Sequence, residues 1–236
     1  MAFVRQLPDR RPILIATKAM LFMGQDTRVI LEPQWLRWAR ELQALAQTGS
    51  HFATSDYDRE RYQRISEIAA EIFARQGDID GSKIRTIFAA QSGYATPKVD
   101  VRAAVFRDRK ILLVQERSDS LWTLPGGWAD VNDSPSKAVE KEVVQESGFK
   151  VRAERLLAVF DRAKHPHDPP FPFHIYKMFF LCGIESGEAT PSTETASVEF
   201  FALETLPPLS LSRITSGQIR FCFEAGLNGP KPAAFD

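Results

Sequence analysis

The sequence predicts an α+β protein in which a small helical domain precedes a domain of strands and helices. Apolar residues recur at helical spacing from Pro33, and short strand-like runs replace that pattern near Pro97. A well-capped acidic helix then lies between two groups of these runs. The predicted divisions are an extension of uncertain status over residues 1–30, a helical domain over 31–95 and an α+β domain over 96–236.

The first predicted helix contains Trp35, Trp38, Leu42 and Leu45 at three- and four-residue spacing, and Gly49 follows as a stop. A second helix is predicted over about residues 58–74. Two helices of this length bury little apolar surface by themselves. They must therefore pack on the rest of the chain or on a second copy of it.

The preceding residues 1–30 allow two interpretations. They form either an ordered extra segment or a translated upstream extension, in which case Met20 or Met23 is the start.

Strand-like runs define the second domain. Val99–Phe106 and Ile111–Gln115 are predicted strands joined by a four-residue turn. Further strand-like runs cover residues 155–160, 175–182 and 197–201, and a short helix is predicted over 214–225.

Composition and charge narrow the class of protein. Of 236 residues, 44% are hydrophobic and 25% are charged, which excludes a disordered, collagen-like or coiled-coil chain. The 30 basic and 30 acidic side chains balance, so a dedicated nucleic-acid-binding protein is not favoured. No apolar run reaches the ~18 residues that span a bilayer. We therefore expect neither a membrane nor a nucleic-acid partner.

The two cysteines, Cys182 and Cys222, lie in apolar surroundings. This number excludes a disulfide scaffold and a finger-type zinc site, and we interpret both residues as buried thiols. Low cysteine use fits a reducing compartment, so we expect a cytoplasmic protein.

The segment richest in chemistry contains a helix over Ser134–Ser147. Ser134 suits the N-cap, Pro135 the first helical position and Gly148 the C-terminal stop. Glu142 and Glu146 then lie on adjacent turns of one helix face, beside an apolar stripe that faces the core.

A turn with Gly126 and Gly127 precedes this helix, and the chain passes Asp130 and Asp133 before the helix begins. Glycines let the backbone approach another group closely. Oxygen ligands that converge on one point suit Mg²⁺ or Mn²⁺, which also bind phosphates. The alternative is an ordinary acidic helix face in solvent.

These residues resemble the signature of the Nudix hydrolase superfamily. That signature is a glycine, five residues, a glutamate, seven residues, and then Arg-Glu-apolar-any-Glu-Glu-any-Gly-apolar. The corresponding residues here are Gly127, Asp133 and the run Lys141-Glu142-Val143-Val144-Gln145-Glu146-Ser147-Gly148-Phe149. The spacing agrees throughout, and the departures are Asp133 for Glu, Lys141 for Arg and Gln145 for Glu.

The resemblance extends to a bacterial subgroup with a helical N-terminal domain, which includes CDP-choline pyrophosphatases and ADP-ribose pyrophosphatase-like proteins. The residues that carry it are the run 94–102, the phrase 122–130 and the helical pair after Trp35. It implies an α/β/α sandwich on a mixed sheet and Mg²⁺ (or Mn²⁺) as cofactor. It further implies a homodimer and hydrolysis of the diphosphate bond in a nucleoside diphosphate linked to another group.

The resemblance also implies site residues. Glu142, Glu146, Gln145 and a backbone carbonyl at Gly127 are the expected metal ligands, and Glu142 is also assigned to catalysis. The Glu-rich loop over residues 185–199 supplies a candidate general base, Glu194 first and Glu199 second, unless the loop is simply solvated.

The expected substrate-binding residues are Arg117 and Arg162 for the phosphates and Trp122 for a base. Trp128 and Phe171 are further stacking candidates, although core packing is the alternative for both tryptophans. His165 and His167 lie in a proline-rich loop that we expect to close over the second group of the substrate.

Two functions follow as hypotheses. One is a metal-dependent hydrolase of nucleoside diphosphate derivatives. The alternative, motivated by the departures at Asp133 and Gln145, is a catalytically weak Nudix domain that binds such a ligand in a regulatory role, since Gln145 removes a negative charge from the expected metal site. Trimming of RNA ends uses similar chemistry, but the neutral charge balance gives it little support.

Overall fold

The structure, a computed structural model, describes residues 32–77 and 80–236. The predicted extension over residues 1–30, with Met20 and Met23, lies outside the described residues. The helices are α1 (Gln34–Phe52), α2 (Asp56–Gln76), α3 (Gly81–Ala89), α4 (Pro135–Ser147) and α5 (Ser216–Leu227). The strands are β1 (Lys98–Arg107), β2 (Lys110–Glu116), β3 (Trp122–Thr123), β4 (Phe149–Asp161), β5 (Ile175–Gly187), β6 (Thr195–Phe201) and β7 (Ala234–Phe235). Two 3₁₀ turns cover Arg162–Lys164 and Leu203–Thr205.

The helical N-terminal region packs α1, α2 and α3 around Leu36, Ala39, Phe73 and Phe88. The sequence predicted α1 and α2 but not the nine-residue α3. Trp38 and Leu45, two of the residues whose spacing predicted α1, are exposed by 55% and 57%. The periodicity was correct, but α1 has a second apolar stripe that points to solvent.

The second region contains a mixed seven-stranded sheet, as predicted. Its strand order is β3-β2-β1-β5-β4-β7, and β6 pairs with β2. The central pair β1 and β5 is parallel, whereas β4 and β5 are antiparallel. Helix α4 packs on one face through Val139 and Val143, and α5 packs on the other through Ile219 and Cys222. The result is the expected α/β/α sandwich.

Helix α4 begins and ends where its caps require. The backbone N–H of Lys137 donates to Ser134 Oγ, Pro135 is the first helical residue, and Gly148 ends the helix at φ 76°. This local chemistry explains why the sequence predicted α4 to within one residue.

The turn before α4 runs directly alongside β1. Val101 N–H donates to Gly127 O at 2.8 Å, and Ala103 N–H donates to Pro125 O at 2.9 Å. Gly126 has φ 139°, and a Cβ on it would lie 2.0 Å from Val101 O. Only glycine lets the turn approach the strand this closely.

Among the described helices, none is both long and apolar enough to cross a membrane. Cys182 and Cys222 are free and buried on opposite faces of the sheet, which agrees with their interpretation as buried thiols.

We expect Gly126→Ala to destabilise the protein by roughly 2–4 kcal/mol, because the added Cβ overlaps the β1 backbone at a φ that other residues avoid. Gly217→Ala in α5 is the matched control, since the nearest atom to its Cβ is 3.9 Å away. Denaturant unfolding of both variants measures the effect. Equal stabilities would contradict the close approach at Gly126.

Candidate active site

A cavity of about 510 Å³ lies between the Gly126–Gly127 turn, α4, the ends of β1 and β5, and the loop that follows β4. Its lining divides by chemistry. Acidic side chains come from Glu116, Asp130, Glu142, Glu146 and Glu194; basic side chains come from Arg102, Arg162, Lys177 and Arg213; and Trp128 and Phe171 supply aromatic surface. One cavity therefore brings together acidic, basic and aromatic side chains from several strands, from α4 and from the connecting loops.

Glu146 is the most deeply buried glutamate of the cavity, with 6% of its surface exposed. Its Oε2 accepts a hydrogen bond from Gly126 N–H at 2.8 Å, and its backbone carbonyl accepts one from Thr195 Oγ1 at 2.7 Å. Burial raises the pKa of Glu146 to about 8, while Arg102 opposes this rise and Glu142 adds to it. A buried carboxyl under this repulsion favours either a proton or a cation beside it.

Glu142 lies one turn earlier on α4 and faces the glycine turn. A Cβ at Gly127 would lie 3.1 Å from Glu142 Oε2, so the absence of a side chain at this position leaves room beside the carboxylate. Burial raises the pKa of Glu142, and the charges of Glu194 and Asp130 contribute in the same direction. The two helix glutamates thus share a confined, electronegative space.

Gln145 and Glu194 border this space from a neighbouring depression of about 300 Å³, which Glu142 and Glu146 also line. Both residues are exposed. The donor set is therefore oxygen from the buried carboxylate of Glu146, the half-buried carboxylate of Glu142, one exposed carboxylate, an amide and a turn carbonyl, which suits Mg²⁺ or Mn²⁺. Within the described ranges, no three carboxylate, His or Cys side chains already stand in metal-binding geometry.

The floor of the cavity is a buried ion cluster that the sequence analysis missed. Arg102 Nε and Nη2 donate to the two carboxylate oxygens of Asp100 at 2.9 and 2.8 Å. Lys177 Nζ donates to Asp100 Oδ1 at 2.6 Å from the adjacent strand β5. Burial lowers the pKa of Lys177 to about 8, against the attraction of Asp100. Charged residues inside the apolar strand runs at 99–106 and 175–182 were the available signal.

Arg162 lines the same cavity from the 3₁₀ turn after β4. Its Nη2 donates to the carbonyls of Pro169 and Ser212, and its guanidinium lies 5.4 Å from the Phe171 ring centroid. Among the described residues, no carboxylate lies within 4.0 Å of this buried guanidinium. Burial lowers the pKa of Arg162 to about 10, and Arg40 acts in the same direction.

Two predicted substrate-binding residues lie outside the cavity. Arg117 Nε donates to Ser192 O at 3.1 Å and its N–H to Glu194 O at 2.9 Å, so Arg117 supports the Glu194 loop. Trp122 is buried in the core on the α5 face, with its ring 4.8 Å from that of Phe201. Both assignments need correction, because each side chain is committed to contacts within the fold.

The remaining candidates have definite places. Glu199 is exposed on β6 and is absent from the cavity lining. Lys141 Nζ pairs with Asp130 at 2.6 Å and Asp133 at 3.4 Å, so it fixes the acidic loop before α4. His167 Nδ1 lies 2.9 Å from Leu211 O and packs behind Arg162, outside the main cavity. Of the predicted site residues, the main cavity is lined by Gly127, Glu142, Glu146, Glu194 and Arg162, and not by Gln145, Arg117 or Trp122.

The α/β/α sandwich brings paired carboxylates and buried cations together in one cavity, an arrangement that suits an enzyme acting on phosphates. Comparison with known proteins identifies the family. The NUDIX domain model matches residues 96–220, and the model described as a UDP-X-like N-terminal oligomerisation domain matches residues 33–88. The chain belongs to the Nudix hydrolase family.

Three relatives are similar along most of their own lengths. YjhB of Bacillus subtilis, a candidate ADP-ribose pyrophosphatase, is 41% identical and covers 87% of this chain and 99% of its own. The solved structure of a UDP-X diphosphatase is 34% identical, with a TM-score of 0.56 over 86% of this chain and 98% of that one. The structure of an ADP-ribose pyrophosphatase from Streptococcus suis is 45% identical, with a TM-score of 0.55 over 60% of this chain and all of that one.

The raised pKa of Glu146 predicts an unusual pH dependence of stability. Between about pH 5 and about pH 8 the native state holds a proton that the unfolded state has released, so the free energy of unfolding falls as pH rises. In the presence of a metal chelator, the fall in the free energy of unfolding over this pH range should be smaller in Glu146→Gln than in wild type by roughly 1–4 kcal/mol, because the amide resembles the protonated acid. Denaturant unfolding at a series of pH values measures the slope.

Glu140→Gln is the matched control for that measurement. Glu140 lies on the same helix, outside the cavity, where its Oε1 accepts a hydrogen bond from Ala153 N–H. Parallel pH profiles for wild type and Glu146→Gln would show that Glu146 ionises normally.

Proposed function

We propose that this Nudix hydrolase cleaves the diphosphate bond of a nucleoside diphosphate linked to another group, of the ADP-ribose or UDP-X kind, with Mg²⁺ or Mn²⁺ as cofactor. The names of the relatives support this substrate class, because two of those proteins cover more than four fifths of this chain. The departures from the family signature leave the spacing of the site intact.

The observation that carries the proposal is a single cavity that is lined both by paired carboxylates on α4 and by buried basic side chains. A diphosphate needs cations on its oxygens, because its negative charge repels an attacking water. Arg162 and Lys177 present buried positive charge, and Glu142 and Glu146 present paired carboxylates opposite them. The same cavity therefore offers protein cations for the phosphates and oxygen ligands for a metal.

The metal would be held by Glu142 and Glu146, with the carbonyl of Gly127 and the amide oxygen of Gln145 as further donors. Such an ion, when bound, neutralises phosphate charge and lowers the pKa of a bound water. The space beside Gly127 supports this arrangement, since any side chain there would meet the Glu142 carboxylate.

The protein's own groups divide the remaining work. Arg162 and Lys177 orient the phosphate oxygens, because both line the cavity; Arg162 has no carboxylate partner among the described residues, and Lys177 is paired with Asp100. Glu194 is our proposed general base, since it borders the Glu142 carboxylate and its loop is fastened by Arg117 and by Thr195. This fastening limits the positions that the Glu194 carboxylate explores.

The alternative of a catalytically weak ligand-binding domain rests mainly on Gln145. The place of Gln145 in the structure weakens that alternative. Gln145 is exposed at the rim, whereas Glu142 and Glu146 line the cavity itself. An amide still donates an oxygen to Mg²⁺, so the substitution lowers the charge of the site without emptying it. We expect a higher metal requirement, not a loss of hydrolysis.

We further propose that the chain forms a homo-oligomer through α1. Trp38, Leu45 and Phe52, the α1 stripe, are exposed and spaced by two helical turns, so they line one side of the helix. A stripe of large apolar side chains on a helix is typical of a protein interface. The match to an N-terminal oligomerisation domain over residues 33–88 supports this role.

Glu146→Gln should lower kcat for a nucleoside diphosphate sugar by about 100-fold in saturating Mg²⁺, because it removes an anchoring charge from the metal site. The measurement is release of phosphate after coupling to a phosphatase. Glu140→Gln, on the same helix but outside the cavity, should keep wild-type turnover. Equal turnover in wild type and Glu146→Gln would remove Glu146 from the mechanism, and full activity after exhaustive chelation would exclude the metal.

Leu45→Glu should shift the protein to monomers, because burying the new carboxylate in an apolar interface without an opposite charge beside it is unfavourable. Light scattering coupled to gel filtration measures the mass of each species. Val131→Glu is the control, since Val131 is an equally apolar residue that is 89% exposed on a loop of the Nudix domain. A monomeric wild type, or an unchanged mass in Leu45→Glu, would contradict this interface.

A further inference from the structure

Arg40 joins the helical region to the wall of the candidate active site. From α1, its Nε and Nη2 both donate to the carbonyl of Phe171, at 2.9 and 2.6 Å. Its Nη1 pairs with Glu32 on the other side. Phe171 lies in residues 165–174, here called the cavity loop, and is the residue of that loop that lines the candidate active site. A side chain of the N-terminal region thus holds the backbone of this loop directly.

The ring of Phe171 forms an aromatic pair with Trp128. The two ring centroids are 6.3 Å apart with an interplanar angle of 36°, and both rings line the main cavity. Trp128 leaves 46% of its surface exposed. A flat base between two rings needs a centroid separation of about 7 Å, twice a carbon contact distance of about 3.5 Å. The observed pair needs only a slight opening and a change of tilt to admit one.

The two rings depend on different supports. The backbone around Trp128 is fixed to β1, because Ala129 N–H donates to Val99 O and Val101 N–H donates to Gly127 O. Among the described residues, no strand donates to or accepts from the backbone of Phe171, and its carbonyl is held by α1 through Arg40. The position of α1 relative to the sheet therefore contributes to the separation of the rings, beside the contacts of the Phe171 ring with Arg162 and Phe173.

We propose that Arg40 is a positioning residue for the nucleobase. It acts through the Phe171 carbonyl to set the gap between Phe171 and Trp128, and this gap holds the base of a nucleoside diphosphate. The inference rests on the proposed function for the phosphate part of the ligand. It adds a base subsite and assigns its geometry to a residue of the helical region.

A residue that merely joined two parts of the chain would affect all ligands alike. A positioning residue for the base affects ligands that carry a base and spares those that do not. The test therefore compares adenosine 5′-(α,β-methylene)diphosphate, which resists hydrolysis, with methylenediphosphonate, which keeps the paired phosphorus groups without a nucleoside. Calorimetry in Mg²⁺ gives both dissociation constants without any turnover.

Arg40→Met should weaken the nucleoside analogue about 10-fold, equivalent to about 1.4 kcal/mol, and change methylenediphosphonate less than twofold. Arg37→Met is the matched control, because Arg37 is exposed on the same helix. Arg40→Lys keeps a positive charge but loses the paired donors, so an intermediate loss is expected. It also serves as the test variant if thermal melting shows that Arg40→Met does not fold.

A double-mutant cycle tests the route through Phe171. Phe171→Leu removes the ring but keeps the carbonyl that Arg40 holds, so it should weaken the nucleoside analogue to a similar extent. Adding Arg40→Met to Phe171→Leu should then change affinity less than twofold. Additive losses, or equal losses for the two probes, would overturn the positioning role, as would a wild type that binds both probes equally well.

These outcomes separate the inference from the proposed hydrolysis. If wild type shows the selective affinity but hydrolyses no nucleoside diphosphate derivative, the base subsite stands and the proposed reaction fails. If it hydrolyses them but Arg40→Met binds both probes as wild type does, the reaction stands and the positioning role fails.

Discussion

The site depends on the guanidinium of Arg102, buried at the centre of the sheet. It binds both oxygens of Asp100 and donates to Leu124 O at 3.0 Å, so one side chain ties β1 to the segment that enters the glycine turn. Its charge also reaches Glu116, Glu142 and Glu146, in each of which it opposes the rise of pKa caused by burial. Without Arg102, these three carboxylates would lose the positive charge that they share, although Glu116 would keep its pair with Arg213.

These charges bear on why the fold keeps Glu146, whose ionised form lowers the free energy of unfolding. Glu146 is buried beside other acids, and burial raises its pKa to about 8, so its ionised form opposes folding at neutral pH. The hydrogen bond from Gly126 N–H and the neighbouring Arg102 offset only part of that cost. Sites that bind cations or transition states commonly retain such strain, because removing it removes function. The same burial would strengthen the attraction of Glu146 for the metal ion that we propose.

What the sequence could predict was local in origin. Ser134, Pro135 and Gly148 define α4 through neighbouring backbone groups, so the helix and its glutamates were found without tertiary information. The Asp100–Lys177 pair joins residues 77 positions apart and needs the parallel pairing of β1 with β5, which no local pattern contains. Trp122 was misassigned because a strand pattern does not say which face of the sheet carries the site. The spacing of Trp38 and Leu45 predicted a helix but not their exposure, because helical periodicity is the same for a buried and for an exposed apolar stripe.

Helix α1 contacts both the helical region and the cavity loop, because its sides carry different residues. Leu36, Ala39 and Ala46 pack inside the helical region, Arg40 reaches the cavity loop, and the α1 stripe faces outward. A displacement of α1 on binding a second copy would therefore move the Phe171 carbonyl as well, because a helix transmits motion along its whole length through its backbone hydrogen bonds. If both proposals hold, linkage requires base binding and self-association to alter each other's free energy to the same extent. Concentration-dependent association should thus be strengthened or weakened by the nucleoside analogue but not by methylenediphosphonate, and Arg40→Met should abolish that difference while leaving the α1 stripe intact.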